Sequence, residues 1–348
     1  MNKNPYSLAF GTEPAEIIPR LAQSSEIIQE FTDESPSQTI YMVTGIRGSG
    51  KTVFMTTIAE HFRTLDDWIV VDLNPERDLL ENLASKLSSR NELARIFQTA
   101  KINLSFFGFG LEVSGAAPIT DIEVALEKML ASLKDKGRRV LLCIDEVTAT
   151  QNMKVFAASY QIFIRQKLPV FLIMTGLYEN IYELQNEKTL TFLYRAPKIA
   201  LKSLSLSTIA DNYASVFELD TAGAAAMARL TRGYAFAFQV LGYLTWKHGY
   251  GSKKIMTEYR QYLEEYVYEK IWSGLSATDK RVLYGAAKVP DGKIREIREL
   301  LHMTTNSFNP YRKRLIMKGL IDGSEYGRIL FTLPLFEEYV LANFEGSL

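Results

Sequence analysis

Residues 38–202 alternate short apolar runs with segments whose apolar positions recur at helical spacing. The runs that predict strands are Thr39–Val43, Trp68–Leu73, Val140–Ile144, Val170–Met174 and a short one at Lys198–Leu201. Strands of a parallel sheet are buried on both faces, so they appear as continuous apolar runs rather than as alternating ones. This part of the chain is therefore predicted to form an α/β domain around a parallel sheet.

The remaining segments have other patterns. Residues 1–37 are a polar, proline-containing lead-in, and residues 203–273 are helical throughout. Residues 101–114 alternate with period two around two glycines, which predicts a β-hairpin inserted into the α/β domain. Residues 274–348 contain short helical segments, a glycine-containing hairpin and a last amphipathic helix. We therefore expect a lead-in, an α/β core, a helical lid and a smaller C-terminal domain.

Composition excludes several classes of protein. The chain has 348 residues, with 40 Lys and Arg against 40 Asp and Glu, so no global field favours nucleic acid or a membrane. The one cysteine, Cys143, lies in an apolar run, and such sparse usage is typical of a reducing compartment. The histidines lack metal-ligand spacing, and no apolar run is long enough to span a bilayer. We therefore expect a cytoplasmic protein without a membrane partner.

A glycine-rich loop follows the first apolar run directly. Gly45 to Thr52 fits the phosphate-loop pattern G-x-x-x-x-G-K-[ST], and a helical pattern follows it. Glycines let the backbone approach phosphate oxygens, while N–H groups and the helix N-terminus face the anion. Lys51 adds a charge at the β- and γ-phosphates, and the Thr52 hydroxyl is a ligand for Mg²⁺. The sequence therefore predicts ATP and Mg²⁺ as cofactors, with nucleotide contacts from Gly45, Arg47, Gly48, Ser49, Gly50, Lys51, Thr52 and Val53.

Two carboxylates, Asp145 and Glu146, end the third apolar run. Ligands of open α/β sheets bind beyond the carboxyl ends of the strands, so we expect Asp145 near the metal and Glu146 beside the attacking water. The alternative, a helix cap or a solvated turn, becomes the minority interpretation beside a phosphate loop. The run Trp68–Leu73 lies between the loop and this acidic strand in the chain. This order indicates an extra strand inserted between them in the sheet, an arrangement typical of ATPases with a catalytic glutamate.

Further side chains are candidates for the reaction. Thr175 ends the fourth strand, where it either hydrogen-bonds the γ-phosphate or attacking water or bonds locally. Arg195 is a candidate finger that stabilises transition-state charge in a neighbouring subunit. Arg229 and Arg232 lie in the helical segment, from which either can reach the phosphates. The alternative for each arginine is an ordinary surface ion pair.

These motifs resemble those of AAA+ ATPases, specifically the bacterial and archaeal branch near origin-recognition-type and STAND NTPases. The residues that carry the resemblance are Gly45–Thr52, Val140–Glu146, Val170–Thr175, Thr231–Phe236 and the C-terminal segment. The resemblance implies a nucleotide between an α/β core and a helical lid, followed by a winged helix. It also implies an adenine-side contact at Ile17–Arg20, where Arg20 is retained and a proline replaces the usual glycine.

The C-terminal segment resembles a winged helix-turn-helix. Helices are predicted at Ala277–Ala287 and Lys293–His302, and a third, capped by Asn306 or Ser307, reaches Lys318. Residues 321–331 then form a hairpin, the wing. Basic and amide side chains on the third helix and the wing suit a major groove and its phosphates. The DNA-binding candidates are Asn309, Arg312, Lys313, Lys318 and Arg328.

Glu146 argues against a third function, a nucleotide-binding scaffold with little turnover. Two other functions are consistent with these features. One is an ATP-hydrolysing ATPase whose nucleotide state controls a winged helix that binds double-stranded DNA. The other is a STAND-like signalling or defence switch, in which the winged helix makes protein contacts or supports homo-oligomers. Both require ATP and ADP as ligands, and they differ in whether DNA is a partner.

Overall fold

A computed structural model of the chain describes residues 3–8 and 14–345. Its strands are β1 (Ile40–Thr44), β2 (Trp68–Leu73), β3 (Arg139–Ile144), β4 (Val170–Gly176), β5 (Lys198–Ala200), β6 (Ile321–Asp322) and β7 (Leu330–Phe331). Its α-helices are α1 (Leu21–Thr32), α2 (Lys51–Arg63), α3 (Leu79–Ser88), α4 (Asn91–Thr99), α5 (Ile122–Lys134), α6 (Gln151–Arg165), α7 (Tyr178–Gln185), α8 (Leu206–Phe217), α9 (Thr221–Leu230), α10 (Ala235–His248), α11 (Lys254–Leu263), α12 (Glu269–Ser273), α13 (Ala277–Lys288), α14 (Ile294–Leu300), α15 (Thr305–Met317) and α16 (Phe336–Glu345). Short 3-10 turns lie at Ser105–Phe107 and Thr191–Arg195, and a π-helical turn lies at Glu264–Tyr268.

The first five strands form one sheet in the order β2-β3-β4-β1-β5, with every pair parallel. This arrangement confirms the predicted α/β fold. One strand does separate β1 from the acidic strand β3, but that strand is β4, whereas Trp68–Leu73 lies at the sheet edge. The expectation that this run is the inserted strand is therefore wrong. Chain order does not fix sheet order, because crossover helices let consecutive strands skip a position.

Helices cover both faces of this sheet, as its continuous apolar strands require. On one face, Ile69, Val71 and Leu142 share an apolar core with α3, α5 and α6. On the other face, the rings of Trp68 and Phe171 lie 4.9 Å apart and contact aromatic rings from α1 and α2. Successive strand residues point to opposite faces, so each strand serves both layers.

The chain packs as two compact units that are discontinuous in sequence. The core unit comprises Arg20–Thr44 and Lys51–Ala200 and contains the parallel sheet. Among the described residues, the lid unit comprises 3–8, 14–19, the loop Gly45–Gly50 and 201–345.

One apolar core runs through the lid unit. It includes Tyr213 of α8 and Phe238 of α10 together with Leu283, Leu315 and Phe336 from the C-terminal helices. The segments expected to be a helical lid and a separate C-terminal domain are therefore continuous in packing.

The described residues 3–8 are here called the N-terminal arm; within it, Tyr6 is part of this core and Leu8 packs against it. Tyr6 is 1 % exposed; its ring stacks on Phe217 at 5.7 Å and meets Phe238 edge-on at 5.5 Å. The Tyr6 hydroxyl donates to Asn212 Oδ1 at 2.7 Å. Composition describes this stretch only as a polar lead-in, whereas the structure makes it part of the lid unit.

The predicted hairpin at residues 101–114 is wrong, because this segment contains no strand. A 3-10 turn at Ser105–Phe107 interrupts it, and Gly108 has a φ of 72°, in the left-handed region open to glycine. Leu104 and Leu111 are buried in the apolar core of the core unit. The alternating pattern therefore comes from a packed loop rather than from paired strands.

Three helices and a two-stranded antiparallel ladder follow one another in the C-terminal part of the lid unit, which is the predicted order. They are α13, α14 and α15, followed by the β6–β7 pair. The predicted caps of the third helix are wrong, because Thr304 is the capping residue and its hydroxyl accepts the Ser307 N–H at 3.2 Å. Asn306 and Ser307 lie inside the first turn, since the extended backbone of Thr304 ends the preceding segment two residues earlier.

Candidate functional site

The glycine-rich loop joins β1 to α2 in the chain. The strand ends directly before Gly45 and the helix begins directly after Gly50, so the strand–loop–helix order that the motif requires is present. Inside the loop, Ser49 N–H donates to the Ile46 carbonyl at 3.1 Å and closes a turn. Gly48 and Gly50 have φ values of 74° and 88°. The glycines therefore occupy positions where a residue with a Cβ is strained.

Two groups at the start of α10, also in the lid unit, hold carbonyls of this loop. The Tyr234 hydroxyl donates to the Arg47 carbonyl at 2.6 Å, and Phe236 N–H donates to the Gly48 carbonyl at 3.0 Å. A Cβ on Gly48 would lie 2.2 Å from the Tyr234 oxygen, so only glycine permits this approach. Burial raises the pKa of the Tyr234 phenol, which therefore remains a protonated donor.

Sequence reasoning missed these two contacts. Both Tyr234 and Phe236 lie in Thr231–Phe236, a segment whose resemblance to AAA+ ATPases indicated no contact with the loop. The hydrogen bond from Tyr234 spans 187 positions of the chain, and no local pattern predicts a partner at that distance.

In the core unit, the first turn of α2 meets the carboxyl end of β3. The Thr52 hydroxyl donates to Asp145 Oδ2 at 2.6 Å, although the two residues are 93 positions apart. Lys51, the first residue of the same helix, is 9 % exposed. The first N–H groups of a helix have no acceptor within it, so this turn places backbone donors beside a positive charge. The structure therefore brings together the two residues predicted to be metal ligands.

Asp145 accepts hydrogen bonds from three sides. Besides Thr52, the Thr175 hydroxyl and the Glu146 N–H both donate to Asp145 Oδ1, the latter at 3.0 Å. The register pairs Ile144 with Met174, which places the next residue of each strand, Asp145 and Thr175, side by side. Thr175 is fully buried, and its hydroxyl bonds to Asp145. The structure therefore shows the local hydrogen bond, which was the alternative to a contact with the γ-phosphate. These bonds fix the orientation of the Asp145 carboxylate.

Glu146 follows directly and differs from Asp145 in its surroundings. Its side chain is exposed, and its φ of 53° is in the left-handed region. Residues other than glycine adopt this conformation rarely, and they do so more often at functional sites. The main chain therefore turns at the end of β3 so that Glu146 leaves the sheet.

The oxygen donors at this position fit Mg²⁺. A hydroxyl and a carboxylate are hard ligands, and Mg²⁺ in nucleotide sites is bound by one or two protein oxygens together with water and phosphate. Among residues 3–8 and 14–345, no group of three or more His, Cys, Asp or Glu side chains forms a cage for a metal. Thr52 and Asp145 therefore suit a metal shared with a phosphate ligand.

Cys143 lies two residues before this carboxylate, on the same strand. Burial raises the pKa of its thiol to about 12. The thiolate is the reactive form of cysteine, so a thiol held neutral by burial is inert. Cys143 therefore packs as a small apolar residue and takes no part in the chemistry of the site.

A family model includes both parts of this site. Residues 26–167 match the model described as "ATPase domain predominantly from Archaea". This α/β segment of the chain is therefore similar to the archaeal ATPase domains. A second model, described as "Domain of unknown function (DUF8462)", matches residues 265–340. Among curated proteins, no sequence matches the chain significantly.

Two solved structures resemble nearly the whole chain. A Walker-type ATPase of Pyrococcus abyssi is 16 % identical with a TM-score of 0.66, over 97 % of this chain and 99 % of that one. The ORC2 protein of Aeropyrum pernix, solved in ADPNP–ADP complexes, is 13 % identical with a TM-score of 0.60, over 97 % and 96 %. At such identities the likeness shows the fold, which extends beyond the ATPase domain to the full chain. Among the described helices, none has the length and apolar character needed to cross a bilayer.

Arg232, a predicted nucleotide contact, forms its hydrogen bonds within the lid unit. Its guanidinium donates to the carbonyls of Phe331 and Leu333 at 3.2 and 3.0 Å, and it forms an ion pair with Glu337 at 2.7 Å. Arg232 has a φ of 48° and directly precedes Gly233. The structure therefore places this arginine against the end of β7 and the start of α16.

The other predicted contacts outside the loop lie in the core unit. Arg20 immediately precedes α1, is half-buried, and burial lowers its pKa. Val53 is half-buried in the first turn of α2. Arg195 ends the 3-10 turn at Thr191–Arg195, where it is exposed. The roles predicted for Arg20, Val53 and Arg195 stay predictions.

The DNA-binding candidates on α15 divide into two groups. Asn309 and Lys313 are exposed, as a contact with a duplex requires. Arg312 instead lies against the wing, where it donates to the Gly323 carbonyl at 3.3 Å. Lys318, just after the helix, is half-buried. Fewer of these side chains face solvent than the sequence predicts, because Arg312 and Lys318 are half-buried.

Acidic partners reduce the local positive charge of the C-terminal segment. Lys288 to Lys318 holds eight Lys and Arg residues, but Lys293, Arg295 and Arg314 form ion pairs with acidic side chains. On the wing, Arg328 is exposed and pairs with Glu325 at 3.1 Å.

Proposed function

We propose that this protein binds and hydrolyses ATP with Mg²⁺, and that its nucleotide state controls a C-terminal winged helix that binds double-stranded DNA. The supporting observation is a short segment of the lid unit, residues 232–236, which contacts both the phosphate loop and the end of the wing. This segment is here called the strap.

The proposed chemistry uses residues of both motifs. Lys51 and the N–H groups of the loop bind the phosphates, and Thr52 with Asp145 holds Mg²⁺. Bound Mg²⁺ offsets the charge that develops on the phosphoryl oxygens. Glu146 accepts a proton from the attacking water, a role that suits an exposed carboxylate immediately after the metal ligand.

The strap supports nucleotide control of the C-terminal module. At one end, Tyr234 and Phe236 bind carbonyls of the loop. At the other end, Arg232 binds the end of β7 and Glu337 of α16. The two ends are separated by Gly233, and a Cβ there would lie 2.5 Å from the Leu204 carbonyl oxygen, so the turn has little room to move independently. A nucleotide that shifts the loop therefore also alters the contacts of the wing. Nucleotide binding then favours one arrangement of the wing over another, as coupling between two sites requires.

Three exposed side chains support DNA as the partner. Asn309 and Lys313 lie on the outer surface of α15, and Arg328 lies on the wing. An amide on a helix can hydrogen-bond adenine in the major groove, while lysine and arginine contact phosphates. The ion pair between Arg328 and Glu325 is exposed, so exchanging the glutamate for a phosphate costs little.

An assay of ATP hydrolysis with and without duplex DNA tests the proposal. We expect Mg²⁺-dependent hydrolysis, and DNA binding that is tighter with ATP than with ADP and weakens as salt rises. Glu146→Gln should lower the rate about 100-fold or more while ATP still binds, because it removes the base. A rate unchanged by Glu146→Gln would exclude the role given to this residue.

A separate measurement of binding to duplex DNA tests the proposed DNA partner. Flat binding curves for duplex DNA at low salt, with either nucleotide, would remove DNA from the proposal. If ATP instead produces homo-oligomers that ignore DNA, the winged helix makes protein contacts, as in the STAND-like alternative. Measurements of particle size with ATP, with ADP and without nucleotide distinguish these results.

A further inference from the structure

We propose that Tyr234 is a positioning residue for the phosphate-binding loop, an inference that rests on the proposed nucleotide-binding function. Its hydroxyl orients the Arg47–Gly48 peptide so that the Gly48 N–H is presented to the phosphates of ATP or ADP. The residue lies outside the glycine-rich motif and touches no phosphate itself.

The geometry of the peptide unit carries this inference. In a trans peptide the C=O and the following N–H point to opposite sides, and the described residues contain no cis bond. The Tyr234 hydroxyl holds the Arg47 carbonyl at 2.6 Å, so Gly48 N–H points away from Tyr234. No described residue accepts a hydrogen bond from this N–H.

Glycine explains why the loop needs an external donor. Gly48 lacks a Cβ and adopts positive and negative φ with similar ease, so the Arg47–Gly48 peptide can rotate at low intrinsic cost. Its φ of 74° is therefore selected by contacts rather than by its own preference. Phe236 N–H holds the next carbonyl, that of Gly48, at 3.0 Å. Two successive carbonyls are thus bound by the strap, and the phenol of Tyr234 is fixed because it is only 4 % exposed.

Tyr234→Phe tests the inference, because it removes one oxygen atom and keeps the ring. Two matched controls exist in the lid unit. Tyr213 and Tyr259 are also buried, and their hydroxyls donate to the carbonyls of Phe238 and Leu230 at 2.8 and 2.9 Å. All three substitutions therefore delete a buried hydrogen bond between a tyrosine and a backbone carbonyl, and only Tyr234→Phe frees a carbonyl of the loop.

Titration with ATP and with ADP provides the main measurement. We expect Tyr234→Phe to weaken binding of both nucleotides about tenfold, which is about 1.4 kcal/mol. Tyr213→Phe and Tyr259→Phe should stay within about twofold of the unaltered chain, while thermal unfolding shifts similarly in all three variants. In steady-state kinetics, KM should rise in Tyr234→Phe while kcat is retained. This pattern indicates the loss of a contact that is equally strong in the ground state and the transition state.

The possible outcomes are distinct. Equal nucleotide affinity in Tyr234→Phe and the two controls would overturn the positioning role. A similar loss of affinity in all three would also overturn it, because the cause would then be general destabilisation of the lid unit. Failure of the unaltered chain to bind either nucleotide would instead remove the proposed function, and the role of Tyr234 with it.

Discussion

The carboxylate site of the core unit and the loop of the lid unit are supported in different ways. Asp145 is oriented by side chains and an N–H group that lie in or beside recognisable motifs. The loop carbonyls are held by Tyr234 and Phe236, which belong to no chemical motif. Residue type therefore identifies the groups that meet a ligand, whereas the orientation of the backbone depends on contacts made by distant residues.

The strongest test of this comparison is aimed at the lid unit. Tyr6→Ala removes a ring that is 1 % exposed, and it should lower the free energy of unfolding by about 3–5 kcal/mol. Chemical denaturation measures this loss. Tyr326→Ala is the control, because the Tyr326 side chain is fully exposed and its loss should change stability by less than about 0.5 kcal/mol. Equal midpoints for the two variants would show that the N-terminal arm adds nothing to the lid unit.

A second test concerns the motif itself. Lys51→Ala should weaken ATP binding by at least about 100-fold, or about 2.7 kcal/mol, because a charge-assisted contact with phosphate is lost. Lys136→Ala, at an exposed position outside the site, should bind ATP normally. Calorimetric titration of both variants provides the measurement. Full affinity in Lys51→Ala would contradict the assignment of the loop as a phosphate site.

The smallest expected effect concerns Thr175. Thr175→Val keeps the shape of the side chain but removes a donor to Asp145, so the free energy of unfolding should fall by about 1–3 kcal/mol. Mg²⁺-dependent hydrolysis should fall with it, since the carboxylate loses one of its orienting bonds. Thr175→Ser retains the hydroxyl and should restore both quantities. If Val and Ser behave alike in hydrolysis and in denaturation, the bond to Asp145 has no role.

Local pattern predicts much of the core unit. Each strand of the sheet was predicted within two residues of its observed bounds, because a continuous apolar run of that length is typical of a buried parallel strand. The pairing of Thr52 with Asp145 was also predictable, since the helix after the loop and the end of an acidic strand both lie at the carboxyl edge of a sheet.

The lid unit could not be predicted to the same extent. Tyr6 and Tyr234 are single aromatic residues in unremarkable surroundings, and only their partners, 206 and 187 positions away, reveal what they do. The false hairpin at residues 101–114 has a related cause. Period-two alternation records which residues are buried, but it does not show whether strands pair.

The N-terminal arm also determines the order in which the protein can fold during synthesis. The core unit is complete in the chain once Ala200 has left the ribosome. Tyr6 precedes the whole core unit in the chain, yet Asn212 and Phe238, which surround it, emerge more than 200 residues later. The Tyr6 ring therefore stays unburied in the nascent chain while the whole α/β core unit is synthesised. Packing of the lid unit core is thus a late step that depends on contacts distant in sequence.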